Sequence, residues 1–199
     1  MDEAVQVWLD RLFGETEANG VDRLVELDEF CPPDRSTFAR LAQVFESPAV
    51  WLAPYSEAFV SQAFWDLIQV FGELGRTPAD WDLHLRVFRS FEVLFREYFA
   101  VRCTPELAHL SEGGALNEVC YMWWDFDCWD FIPDDIFLSM LRSILAINHA
   151  ACQESALHGL GHNSSPEAEA IIDDFLLREP NLRPDLREYA LRARKGKIM

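Results

Sequence analysis

The sequence predicts an all-α protein of helical hairpins, stacked as a short right-handed solenoid or an orthogonal bundle. Three observations carry that expectation. Apolar residues recur at three- and four-residue spacing in every long segment, and nothing reads as a strand. Prolines recur with a loose rhythm, Pro48, Pro78, Pro105, Pro133 and Pro166, at intervals of 30, 27, 28 and 33 residues. Finally, residues 151–177 read as a complete hairpin: one helix ending, a polar turn, and a second amphipathic helix.

In chain order, Val5 to Phe13 and Val21 to Phe30 form two short apolar-periodic runs separated by a polar stretch, which predicts two short helices. Cys31-Pro32-Pro33 breaks the second. A third starts near Asp34 and carries Phe38, Leu41, Ala42 and Phe45 on one face. Four of the rhythmic prolines follow Ser47, Thr77, Thr104 and Ser165, the pairing of an N-cap hydroxyl with proline at the first helical position. Phe59, Ala63, Leu67 and Phe71, widened by Val60, Phe64 and Ile68, predict a deeply buried helix. The longest helix is expected at about 79–100, with Val87, Phe91, Leu94 and Tyr98 on one face beside Phe88, Phe95 and Phe99. The pairs Ile136-Phe137, Met140-Leu141 and Ile144-Leu145 predict another, and a last helix begins near Pro184.

Within the hairpin, Ala156, Leu157, Leu160 and Gly161 give a tight face of small residues, Ser165-Pro166 restarts the helix, and Ile171, Ile172, Phe175 and Leu176 return at helical spacing. Over 136–191 this pattern resembles the HEAT- and armadillo-type repeats of bacterial proteins of unassigned function. The resemblance implies helix pairs stacked into a curved solenoid, and it implies no substrate. The expected organisation is one domain over 1–199: N-terminal helices to 46, about five hairpin units over 47–195, and a basic tail over 196–199.

A chain of 199 residues, half of them hydrophobic, can bury a substantial core. Its net charge of −17 argues against a nucleic-acid partner, because phosphate binding needs clustered Lys and Arg. The same charge would attract a basic protein surface, which makes a basic protein the expected partner. With neither a signal-peptide pattern at the start nor a long apolar run, a cytoplasmic location and no membrane contact are expected. The five scattered cysteines read as buried thiols; Cys152, three residues from His149, lacks the third orienting group of a cysteine nucleophile. No catalytic signature appears, so an interaction module is expected in preference to an enzyme, with no cofactor.

Residues 121–135, YMWWDFDCWDFIPDD, combine three tryptophans with five aspartates. Exposed, Trp123, Trp124, Asp125, Asp127, Trp129 and Asp130 would make an aromatic and acidic recognition surface; buried, the tryptophans would be core. As a calcium loop counted from Asp125, the segment has Asp130 and Ile136 where glycine and glutamate are required. Glu154, His158 and His162 follow one another at four-residue intervals, so they share a helix face and are the candidate metal ligands. The order is not HExxH and no ligand from a second helix can be named, so the expectation goes against a metal. If the prolines start equivalent hairpins, Asp125 and Glu154 occupy equivalent positions, 20 and 21 residues beyond Pro105 and Pro133. Glu154 and His158 would then stand beside Trp124 and Asp125 on a concave partner-binding face.

Overall fold

The structure is a computed structural model that describes residues 3–10, 35–71, 81–125, 132–163 and 165–198. The helix expected at 21–30, together with Pro78, Cys31, Cys128, Asp127, Trp129 and Asp130, lies outside the described residues. Among the described residues every regular element is a helix and none is a strand. No described helix is long and apolar enough to cross a membrane. Where the sequence predicts one domain, the described residues divide into two compact units, the first ending at Glu97 and the second formed by 98–125 and 132–198.

The first unit holds α1 (residues 3–10), α2 (Arg35–Phe45), α3 (Pro48–Trp51), α4 (Glu57–Phe71) and α5 (Trp81–Leu94). Its core is aromatic. Phe45 meets Phe64 and Phe91 at centroid distances of 6.1 and 5.8 Å, and Phe88 stands edge-on to Phe91 at 5.6 Å. The periodic residues Phe38, Leu41, Ala42 and Phe45 are all buried, as their spacing requires. The helical path continues past α5 through a π-helical turn, Phe95–Phe99, into the short α6 (Ala100–Arg102). Both Tyr98 and Phe99 are buried.

In the second unit follow a 3-10 turn at Ala108–Leu110, α7 (Ala115–Tyr121), a 3-10 turn at Met122–Trp124, α8 (Asp134–Leu145), α9 (Ala150–Asn163), α10 (Pro166–Arg178) and α11 (Pro184–Ala193). Helix α9 is the axis of this unit, in contact with α7, α8, α10, α11 and the 122–124 turn. All eleven residues from Ala151 to Gly161 are buried. Small side chains let neighbours approach from every side. At Gly159 an added Cβ would stand 3.0 Å from both Trp124 and Leu141; at Gly161 it would stand 2.2 Å from Ile198 Cγ2.

Proline marks helix starts at Pro48, Pro166 and Pro184, and Ser165 Oγ accepts the Ala168 N–H at 3.1 Å. Pro105 breaks the expected rhythm, because Thr104-Pro105 opens a loop. The Asn117 side chain takes over that loop's backbone, accepting from Thr104 N at 3.1 Å and donating to the carbonyls of Thr104 and Glu106 at 2.9 and 3.0 Å. The expected basic tail is anchored: Gly196, at φ 64°, closes α11 with Lys197 N bonded to Arg192 O and Gly196 N to Ala193 O. Ile198 beyond it is buried.

Candidate metal centre

Helix α9 turns a polar stripe into a protein interior, so each polar group on it needs a partner. Ser155 donates to the Cys120 carbonyl and accepts the Trp124 indole N–H at 2.8 Å. Glu154, fully buried, accepts the backbone N–H groups of Ala108 and His109 at 2.9 and 3.0 Å and contacts the His109 Nδ1. One turn further on, His158 reaches out of the helix in two directions.

On one side, Nδ1 of His158 lies 2.7 Å from the Tyr189 hydroxyl. Tyr189 donates to the Tyr121 hydroxyl at 3.1 Å, and Tyr121 donates to the Ile198 carbonyl at 3.0 Å. A carbonyl only accepts, so one direction of donation satisfies all three contacts, and it places the proton on His158 Nδ1. With that proton on Nδ1, the imidazole in its neutral form presents a lone pair at Nε2. Tyr189 is itself pinned, its ring stacked on His109 with centroids 4.3 Å apart. Burial pushes the Tyr189 hydroxyl far above its ordinary range and raises Tyr121 too, so both remain neutral donors.

On the other side, His158 Nε2 lies 2.7 Å from Asp125 Oδ1 and 3.1 Å from His162 Nε2, and His162 Nε2 lies 2.6 Å from the same carboxylate oxygen. Asp125 follows the 122–124 turn, its N–H bonded to Met122 O at 3.0 Å. Protonating both imidazoles would give Asp125 two donors but set two like charges 3.1 Å apart. A single proton leaves one of the three contacts between lone pairs. One cation satisfies all three contacts together. These ligand atoms all lie within 4.8 Å of one another, and no other such group of three occurs among the described residues.

A triangle with these sides has a circumradius of about 1.6 Å, shorter than the roughly 2.0 to 2.2 Å of zinc–nitrogen and zinc–oxygen bonds. An ion held here would have Asp125, His158 and His162 as its protein ligands, and the three atoms would have to move slightly apart or leave it out of their centre to reach such bond lengths. The His158 side chain is 5% exposed, whereas Asp125 and His162 are 28% and 38% exposed, so two corners face solvent. Burial works to raise the Asp125 carboxyl, but where His158 and His162 carry protons at Nε2 in place of an ion, their bonds and charge outweigh burial and hold the carboxyl well below the usual carboxylate range.

The structure brings together Asp125, His158 and His162, and it separates Glu154 from them. As a candidate ligand Glu154 is corrected: its oxygens are committed to the 108–109 turn. Of the two readings of 121–135 the core one holds for Trp123 and Trp124, and the surface that Glu154 and His158 were expected to share with them is corrected. Trp123, Trp124 and Glu154 have no exposure and His158 has 4%, because they pack around α9 in the core. The equal spacing from the prolines fails with Pro105, and Asp125 follows a 3-10 turn in place of a second helix. Tyr189 and His109 carry no signal in the sequence, and Tyr121 shows only as part of the 121–135 segment, since nothing local to residues 31 to 80 positions apart signals their contact.

A second group of titratable residues surrounds the start of α9. Cys103, Cys120 and Cys152 are buried thiols. The Cys120 thiol and His149 bring Cys152 down to about 7 against the effect of burial, while burial pushes Cys120 up. No family model, no characterised protein and no solved structure matches the chain.

Proposed function

We propose that the protein binds a divalent transition-metal ion through Asp125, His158 and His162, on a scaffold of HEAT-like helix pairs in which α9 is shared by its neighbours. The observation that supports this best is the convergence of three acceptor atoms within 3.1 Å of one another, with the tautomer of His158 set by its bond to Tyr189. Two imidazoles and one carboxylate suit zinc, iron(II) or nickel better than calcium or magnesium, which take mainly oxygen. Three protein ligands with open positions match the pattern of sites that exchange a ligand, where closed structural sites use four.

The test is metal analysis of protein purified without an affinity tag and equilibrated with zinc, iron(II) or nickel. One equivalent is expected for the wild type. Both His158→Ala and Asp125→Asn should lose more affinity than the roughly 10- to 100-fold typical of removing an outer partner. A wild type that retains none of the three ions overturns the reading. A module for a basic protein is a second reading, favoured by the net charge of −17. Of its proposed residues within the described chain, only Asp125 is substantially exposed, and a pulldown recovering no basic protein would count against it.

A further inference from the structure

The hydrogen-bond chain that starts at His158 ends on the 194–198 segment. Gly196 turns this segment back along α11, and Ile198 enters the space left by the missing side chain of Gly161, one residue before His162. The Ile198 carbonyl then closes the chain Ile198–Tyr121–Tyr189–His158. If the segment leaves, Tyr121 loses its acceptor, the direction of donation along the two tyrosines is no longer imposed, and His158 can place its proton on Nε2, where it competes with an ion.

We propose that docking of residues 194–198 and occupation of the Asp125–His158–His162 site by a divalent ion are coupled, each favouring the other through Tyr121 and Tyr189. This rests on the metal reading above and adds regulation to it: whatever displaces this segment lowers the affinity for the ion. Tyr121 and Tyr189 are positioning residues that act through His158. Coupling of this kind is reciprocal, so the factor by which the ion stabilises the docked segment equals the factor by which docking tightens the ion.

The test uses the full chain and Zn²⁺, with affinity measured by competition against a chromophoric chelator and docking by hydrogen exchange at the amides of Lys195, Gly196 and Lys197, which bond to Arg192 O and Ala193 O. Zinc is expected to slow exchange at these amides in the wild type. Ile198→Ala, which undocks the segment without touching the site, should weaken zinc by the same factor. Tyr121→Phe keeps the ring but removes the bridging hydroxyl; it should cost about 10-fold or more in affinity and abolish the zinc-dependent protection at 195–197, though zinc still binds. A structural role alone would not remove that dependence. Wild-type affinity in both variants, or exchange at 195–197 indifferent to zinc, overturns the coupling while leaving the site. A wild type that binds no zinc overturns the site and the coupling together.

Discussion

Glu154 is a carboxyl buried in the middle of α9, and its position is tolerable because the Ala108 and His109 N–H groups donate to it and His109 Nδ1 lies beside it. Glu154→Leu should destabilise the fold by about 3 kcal/mol, as the Ala108 and His109 N–H groups lose their acceptor in the interior; urea unfolding measures it. Asp125 makes a different prediction. A carboxyl whose folded pKa is depressed contributes stability above its unfolded value of about 3.9 and loses it as pH falls toward the folded value. In metal-free protein, wild type should therefore exceed Asp125→Asn in stability at about pH 6, with the difference holding down to about pH 4 and shrinking only below it, as pH falls toward the folded value. Denaturation curves at several pH values decide it. These two acids also show what was legible at this scale. The four-residue spacing of Glu154, His158 and His162 revealed a shared stripe on one helix. It carried no information about what stood opposite each residue, and that is what makes Asp125 a ligand candidate and Glu154 a partner of the 108–109 turn.

Among the elements, the helices with wide apolar stripes are readable from periodicity alone, and α2, α4, α8 and α10 fall where their stripes predict, while α11 starts at the proline that marks it. Helix α9 is readable as a helix with a small-residue face and a polar stripe, but not as one buried on every side over 151–161. Its sequence lacks a one-sided stripe, since burial on every side removes the contrast that periodicity detects. The loop at Pro105 was misread for a related reason: Thr-Pro is equally suited to a helix start and a turn, and the distant side chain of Asn117 decides between them. Tight packing around α9 yields its own prediction. Replacing Gly159 by valine drives two branches toward Trp124 and Leu141, which already stand 3.0 Å from where a Cβ would lie. The expected cost is about 1–3 kcal/mol, net of improved helix propensity. A melting temperature equal to wild type would mean that the Trp124 ring can move aside.

For the molecule as a whole, the net charge of −17 must be kept apart from the site. Such a charge gathers any cation loosely over the surface, an attraction that salt at about 0.15 M screens beyond roughly 8 Å. Coordination by Asp125, His158 and His162, as proposed, would be short-range and selective for ions that accept nitrogen ligands. The division into two compact units separates these effects experimentally, because all three ligands belong to the second unit. Zinc at a free concentration 100-fold above its dissociation constant should stabilise the state that holds it by about 2.7 kcal/mol. At physiological salt, hydrogen exchange should slow in α9 and α11 on adding zinc, with no comparable change in α2 and α4 of the first unit. Magnesium at the same concentration should do neither. Uniform protection of both units, or equal protection by magnesium, would show that the ion is held by the diffuse charge and that the three side chains do not form a site.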